Sequence, residues 1–287
     1  MLDSLGCLTM NIGVFDSGVG GLTVLRALLA QTAAAQYLYL GDTARLPYGS
    51  KSQVTIARYA VSSSRFLIEQ GCEFLVIACN TASALALDEI RETAAPYGVP
   101  VVGVIAPGAA AAAAASTTGD ALVIATSATV QSHAYSAACK VQNLQVIEKA
   151  CPLLVPLVEE GWIEHPVTAE VVDIYLSELQ REAADSGLAP DTLVLGCTHY
   201  PLLRGVIEAA VGRLWRDNPL QVIDSAEATA REVEAQLGAI PPQDSADNSV
   251  GPVALFYATD SVAKFRQLGT RFLGQPISEV QLVDLGG

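Results

Sequence analysis

Two apolar runs along the chain, LVIACNTAS (75–83) and LVLGCTHYP (193–201), share one plan. The first begins Leu-Val-Ile and the second Leu-Val-Leu, and each continues with a small residue, a cysteine and then polar residues. Continuous apolar runs of about four to eight residues are typical of strands buried on both faces, as in parallel sheets. The two runs therefore predict an α/β protein in which Cys79 and Cys197 follow equivalent buried strands.

The rest of the chain alternates between similar apolar runs and segments whose apolar residues recur at helical spacing. LTVLRALLAQ (22–31) and TAEVVDIYLSELQREA (168–183) are the clearest helical segments. This alternation predicts mainly parallel sheets flanked by helices. The further strand candidates are NIGVF (11–15), QYLYL (36–40), VPVVGVI (99–105), DALVIA (120–125) and LQVID (220–224).

A weak internal repeat predicts two similar domains. IGVFDSGVGG (12–21) matches LVIATSATV (122–130) loosely, at an offset close to that between the two cysteines. LQVID and the closing segment do not extend the second repeat, so we expect both to return to the first half. The predicted domains are 1–103 with 218–287, and 104–217. Ligands bind at the carboxyl ends of parallel strands, so the active site is expected in the cleft between the domains. The alternative to a repeat is a chance resemblance of two buried strands.

The stretch between Glu92 and Asp120 carries no charged residue, which makes it a membrane-span candidate by charge alone. Three prolines interrupt it, however, and its seven consecutive alanines are weakly apolar helix formers. A buried strand, a turn at Pro107-Gly108 and an Ala-rich helix explain the stretch better. A polar, Pro-containing loop is expected at 238–251.

Charge and cysteine usage limit the possible partners. The 287 residues hold 16 Lys and Arg against 30 Asp and Glu, a net charge of −14. Nucleic acids and anionic membranes need a basic surface, so neither is expected as the main partner. The six cysteines include no C-x-x-C pair, and the chain is too long for a disulfide scaffold. Reduced thiols in a cytoplasmic protein fit this usage, and a thiol redox protein does not.

Cys79 and Cys197 are the first candidates for chemistry. Cysteine is a common core residue, and that interpretation suits Cys72, Cys139 and Cys151. It suits a strand-end cysteine beside Asn-Thr or Thr-His less well, because those polar side chains need partners. A zinc site is a further alternative at Cys197, but no paired ligand spacing supports a metal.

Two loops can bind small polar groups. Asp16 and Ser17 precede a Gly-rich turn, VGG, that leads into a helix, and the backbone N–H groups of such a turn attract anions. Thr23 replaces the last glycine of a dinucleotide fingerprint, so a carboxylate fits as well as a phosphate. The segment GDTARLPYGSKS (41–52) clusters polar residues around Pro47 and Gly49 and can equally be an ordinary surface loop.

In their order along the chain, the motifs together resemble the glutamate racemase family over residues 11–274. The resemblance is carried by FDSGVGGLTVLR, YLGDTARLPYGSKS, ACNTASA, GVIAPG, LVLGCTHYPLL, IDSAEATA and FYATDSVAKFRQLGTRFLG. It implies a two-domain α/β enzyme that interconverts L- and D-glutamate without a cofactor and supplies D-glutamate for peptidoglycan.

The resemblance also implies roles for individual residues. Cys79 and Cys197 match the two acid/base catalysts, serving D-glutamate and L-glutamate respectively, and Asp16 and His199 match the assisting groups. Glu159 matches a third assistant, although the chain departs from the pattern between Glu159 and Cys197, where it is long. No metal is implied. The implied substrate contacts are Asp16, Ser17, Pro47, Tyr48, Gly49, Asn80, Thr81, Thr198 and His199. A homodimer is implied, and an interaction with DNA gyrase is conceivable.

Racemisation needs one acid/base group on each face of a planar intermediate, and a pair of thiols can exchange these roles. A free thiol has a pKa of about 8.5, and a neighbouring carboxylate such as Asp16 raises that pKa. Protonated His199 would instead favour the thiolate of Cys197, so the surroundings of the two thiols are expected to differ. A racemase or isomerase of the same superfamily for aspartate or another small carboxylate, and a non-catalytic binding protein, are the alternatives.

Overall fold

The computed structural model describes residues 10–32, 36–238 and 254–286. Most of the loop expected at 238–251 lies outside these residues. Two parallel sheets form the framework of the described chain, and every strand pair in them runs parallel. The predicted α/β class with two sheets is confirmed.

The first sheet has six strands in the order β10-β9-β2-β1-β3-β4, and the second has four in the order β6-β5-β7-β8. Their bounds are β1 Asn11–Asp16, β2 Gln36–Gly41, β3 Phe74–Ile77, β4 Val101–Gly103, β5 Asp120–Ala125, β6 Gln145–Ala150, β7 Thr192–Gly196, β8 Gln221–Asp224, β9 Ala254–Ala258 and β10 Gln281–Leu282.

Helices connect the strands and cover the sheets. Their bounds are α1 Leu22–Gln31, α2 Gln53–Glu69, α3 Asn80–Leu85, α4 Leu87–Ala94, α5 Ile105–Ala115, α6 Ser127–Gln131, α7 Ala134–Val141, α8 Leu154–Glu159, α9 Pro166–Asp185, α10 Arg204–Leu214, α11 Ser225–Leu237 and α12 Val262–Leu273. Within the three described ranges, none of these helices has both the length and the apolar character that crossing a membrane requires.

The internal repeat extends to whole sheets. Strands β2-β1-β3-β4 and β6-β5-β7-β8 have the same order, so β1 corresponds to β5 and β3 corresponds to β7. LQVID, which contains β8, pairs with β7 and occupies the place of β4. The expectation that this segment returns to the first half is therefore wrong: Leu193, Val194 and Leu195 of β7 offer it a parallel partner. The closing segment does join the first sheet, as β9 beside β2. The domain limits themselves stay a prediction.

The turn expected at Pro107-Gly108 is instead the first turn of α5, which begins at Ile105. Proline is tolerated in a first turn because its missing N–H would have no partner inside the helix. Gly108 packs closely there, since a Cβ atom added to it would lie 3.3 Å from Cβ of Ser225.

The two sheets share one continuous apolar core. Ile12 and Val14 of β1 belong to the same buried cluster as Leu122 and Ile124 of β5. Helix α11 follows the second sheet but packs against both α1 and α5, and α12 also packs against α1. Burying apolar surface in common brings the carboxyl ends of the two sheets together.

Candidate active site

Both cysteines singled out in the sequence lie at carboxyl ends of strands. Cys79 comes two residues after β3, and Cys197 directly follows β7. Asp16 is the last residue of β1, and Thr126 directly follows β5, the corresponding strand. All four residues therefore lie at the sheet edges where open α/β proteins bind ligands.

Cys79, Asp16 and Ser17 form what we call the first half-site. The thiol of Cys79 donates to Oγ of Ser17 at 3.5 Å, and its sulfur accepts from the backbone N–H of Ala82 at 3.4 Å, as the N-cap of α3. Only 5% of Cys79 is exposed. Burial and the nearby Asp16 carboxylate raise the pKa of Cys79 to about 12. The thiol is therefore protonated at neutral pH unless a positive charge approaches.

Asp16 has an unused acceptor. Its Oδ2 accepts from the backbone N–H of Gly18 at 2.9 Å, whereas its buried Oδ1 has no partner among the residues that the structure describes. Burial raises the pKa of Asp16, although the charge of His199 opposes that change. A buried carboxylate oxygen without a donor is costly, so this atom is suited to a cationic group of a ligand.

Cys197, His199 and Glu159 form the second half-site. Sγ of Cys197 lies 4.0 Å from Nδ1 of His199, and Nε2 of that ring lies 3.3 Å from Oε1 of Glu159. Burial lowers the pKa of His199, but its bonds to Cys197 and Glu159 outweigh burial and raise it to about 10. The bond from His199 lowers the pKa of Glu159. The histidine is thus an imidazolium at neutral pH, beside the second thiol.

The glycine-rich turn of the first sheet touches the second half-site. Oγ1 of Thr23 donates to the backbone carbonyl of Thr198 at 3.0 Å. A Cβ atom at Gly20 would lie 2.3 Å from Oγ1 of Thr198 and 2.6 Å from Nδ1 of His199. Only glycine permits this approach, and the two half-sites are neighbours because of it.

Three threonine hydroxyls connect the halves on the other side. Oγ1 of Thr81 lies 3.0 Å from Oγ1 of Thr126 and 3.2 Å from Oγ1 of Thr129, and these last two are 3.0 Å apart. Neither Thr126 nor Thr129 is among the site residues predicted from the sequence. The repeat contained a signal, because Thr126 stands where the first repeat has Asp16.

The loop at 41–52 is held by Asp42, which is fully buried. Its carboxylate accepts from Nε of Arg45, from the hydroxyl of Thr259, and from the hydroxyl of Tyr48 at 2.5 Å. Of the contacts expected in this loop, the side chain of Tyr48 is engaged with Asp42 and Pro47 is exposed. A Cβ atom at Gly49 would lie 3.1 Å from Cβ of Thr126, so the loop backbone reaches the second half.

Known proteins share this arrangement of sequence and fold. A family model described as Asp/Glu/Hydantoin racemase matches residues 12–233. A glutamate racemase from Koribacter versatilis is 49% identical, over 96% of this chain and 98% of the relative. Two solved structures cover 96–97% of this chain and 98% of their own chains: a glutamate racemase isoform from Bacillus anthracis (36% identity, TM-score 0.84) and a glutamate racemase from Francisella tularensis in complex with D-glutamate (33%, TM-score 0.82).

Proposed function

The chain belongs to the Asp/Glu/Hydantoin racemase family, and we propose that it interconverts L-glutamate and D-glutamate with Cys79 and Cys197 as opposed acid/base catalysts. The observation that carries the proposal is the placement of both thiols, each 5% exposed, at the ends of the corresponding strands β3 and β7. The glutamate racemases that match nearly the whole chain support glutamate as the substrate.

Two acid/base groups are needed because the intermediate is planar at its α-carbon. A single base would mostly return the proton to the face from which it came. With one thiol on each face, one enters as a thiolate and removes the proton while the other delivers a proton to the opposite face. After one turnover the roles of the two sulfur atoms are exchanged, so the enzyme is ready for the other enantiomer.

In the first half-site, the substrate itself activates the thiol. Cys79 is neutral in the free enzyme, since burial and Asp16 raise its pKa to about 12. The α-ammonium group of glutamate fits the unpaired Oδ1 of Asp16. That positive charge lowers the pKa of a neighbouring thiol. The carboxylate of Asp16, which lies beside Cys79, would relay the proton that leaves the thiol.

In the second half-site, the protein supplies the positive charge. The imidazolium of His199, held by Glu159, places a positive charge beside Sγ of Cys197, with Nδ1 4.0 Å from the sulfur. A positive charge at that distance assists a thiol that acts as a base. Cys197 therefore removes the α-proton of L-glutamate, and Cys79 removes that of D-glutamate.

The two carboxylates of the substrate need donors. Nδ2 of Asn80 is buried, has no partner in the described part of the chain, and fits one of them. The hydroxyls of Thr81, Thr198 and Ser17 and the backbone N–H groups of the turn before α1 are the further donors. The backbone N–H groups of that turn also stabilise the negative charge that develops on the α-carboxylate as the proton leaves.

The cellular role follows from the product. D-glutamate made by the enzyme would enter peptidoglycan synthesis in the cytoplasm, as the family resemblance implies. The same resemblance implies a homodimer, which light scattering of the purified protein tests. An interaction with DNA gyrase is a further expectation, which co-purification tests.

The deciding experiment is a polarimetric assay of the purified protein with L-glutamate, D-glutamate and both enantiomers of aspartate, without added cofactor. We expect loss of optical rotation from both glutamate enantiomers, ending at the racemate. Racemisation of aspartate alone would show that the protein acts on another substrate of the superfamily. No change with any of the four would leave a binding protein and refute the proposal.

A further inference from the structure

Tyr135 on α7 joins the two half-sites without belonging to either. Its hydroxyl donates to Oδ1 of Asn80 at 2.7 Å, across the boundary between the two sheets, and its side chain is fully buried. We propose that Tyr135 is a positioning residue, which orients the amide of Asn80 toward the substrate and ties that amide to the strand that carries Cys197. This inference rests on the proposed racemase function.

Asn80 follows Cys79 and is the first residue of α3. Its side chain is almost fully buried, and within residues 10–32, 36–238 and 254–286 its Nδ2 has no partner. Because Tyr135 donates to Oδ1, the amide group is fixed with Nδ2 on the free side. A substrate carboxylate accepts hydrogen bonds, so this orientation offers it a donor, and the opposite orientation would offer it a repelling oxygen.

The ring of Tyr135 lies against the residue before Cys197. A Cβ atom at that residue, Gly196, would lie 2.9 Å from Cε2 of the tyrosine ring. The ring thus packs directly on the backbone of the strand end that carries Cys197, while the hydroxyl holds the residue next to Cys79. One rigid side chain fixes both thiol-bearing segments relative to each other.

The hydroxyl keeps its role over the whole working range of the enzyme. Burial raises the pKa of Tyr135 above the ordinary tyrosine value. The group remains a protonated donor at every pH at which the protein would be assayed.

The test is Tyr135→Phe, which keeps the ring and removes only the donor. Asn80 contacts a carboxylate that is present in both the ground state and the transition state, so its loss of orientation should appear in KM. We expect KM to rise roughly 10-fold for both enantiomers with little change in kcat, the size of one hydrogen bond to a charged group.

A double-mutant cycle with Asn80→Ala separates positioning from a general structural role. If Tyr135 acts through Asn80, Tyr135→Phe should change KM by less than about twofold in the Asn80→Ala background, because the two residues form one coupled unit. Equal effects in both backgrounds would overturn the inference. Tyr37→Phe is the matched control: it removes the hydroxyl of another fully buried tyrosine, bonded to Thr32.

Tyr37→Phe also shows how much stability the loss of a tyrosine hydroxyl costs. Each Phe variant loses the hydrogen bonds of one tyrosine hydroxyl, so both melting temperatures should fall, while only Tyr135→Phe should change KM. An unchanged KM in a folded Tyr135→Phe protein also overturns the inference. A wild-type protein that is inactive on glutamate would be a failure of the proposed function, which the first assay of the series distinguishes.

Discussion

The imidazole of His199 lies between two acidic groups, with Nε2 3.3 Å from Oε1 of Glu159 and Nδ1 4.0 Å from Sγ of Cys197. Cys79 lies instead beside the carboxylate of Asp16. The two thiols therefore occupy equivalent strand ends in opposite electrostatic surroundings. The interconversion of L- and D-glutamate is symmetric, but the two thiols are not equivalent. The L-to-D and D-to-L directions should therefore respond differently to pH and to substitution.

The first prediction concerns pH. Burial lowers the pKa of His199, but the bonds to Cys197 and Glu159 raise it to about 10, so kcat/KM for L-glutamate should hold up to that pH and fall above it. The histidine also stabilises the fold, fully below its ordinary pKa of 6.5 and less as pH rises toward 10. Glu159→Gln removes one cause of the raised pKa and should move the fall in kcat/KM to lower pH.

The matched control for that series is Glu160→Gln, because Glu160 is the exposed neighbour of Glu159. Its pH profile should coincide with that of the wild type. If the profile of Glu159→Gln also coincides with the wild type, Glu159 does not act through His199.

The second prediction is the loss of either thiol. Cys79→Ser and Cys197→Ser should each lower kcat for racemisation by at least roughly 10²–10⁴-fold, the usual contribution of an acid/base group, because a hydroxyl is a far weaker acid than a thiol. Circular dichroism should report an intact fold. Cys72→Ala is the control: Cys72 is buried at the opposite end of β3 and should be dispensable for activity. Full turnover in either serine variant would disprove the assigned roles.

The third prediction concerns the origin of the proton. In D₂O, each enantiomer should gain one deuterium at the α-carbon as it inverts, since the incoming proton is delivered by the opposite thiol, which exchanges with solvent. Proton NMR of the α-position, followed from either enantiomer, measures this directly. Product that keeps its protium would mean that one group carries the proton between faces, and the two-thiol mechanism would be abandoned.

Much of this fold is predictable from local patterns. The Val, Ile and Leu runs predict buried parallel strands because such strands have apolar neighbours on both faces. The prediction that β8 belongs to the first half is wrong because the strand is short, with Gln221 exposed and Val222 half-buried. Its own residues do not indicate which sheet it joins. Pairing with β7 decides its place, and that pairing is a long-range contact.

The functional site, like the fold, is only partly predictable from the sequence. The two cysteines can be found because each interrupts an apolar run with polar neighbours. The bond from Tyr135 to Asn80 and the cluster of Thr81, Thr126 and Thr129 cannot be found by spacing, since they join side chains across 45 to 55 residues. Such contacts depend on how two sheets are packed together, which no local period encodes.

The fourth prediction tests the contact between the halves. Gly20→Ala would place a Cβ atom 2.3 Å from Oγ1 of Thr198 and force the second half-site to shift. A displacement of about 1 Å at reacting groups costs about 100-fold in rate, so kcat/KM should fall by at least that factor. Gly205→Ala, in α10 with open space around its Cα, is the control and should add about 0.5–1 kcal/mol of stability at unchanged activity. Comparable kinetics in the two variants would show that the approach at Gly20 is unimportant.

The last prediction concerns the loop that reaches the second half at Gly49. The carboxylate of Asp42 is fully buried and accepts from Arg45, Tyr48 and Thr259. Asp42→Ala would leave the guanidinium of Arg45, whose side chain is 10% exposed, without its anionic partner. Removing one partner of a buried ion pair costs about 3–5 kcal/mol, and we expect a loss of about 3 kcal/mol in urea unfolding.

Asp88 provides the comparison for Asp42, because it also pairs with an arginine three residues away but its side chain is 90% exposed. Exposed pairs contribute little since water screens both charges, so Asp88→Ala should leave the unfolding midpoint within experimental scatter. The Asp42→Ala protein should in addition lose glutamate affinity, because the loop backbone at Gly49 would no longer be held beside Thr126. A loss of stability with an unchanged KM would confine Asp42 to folding, and no loss of stability would contradict the packing of this loop.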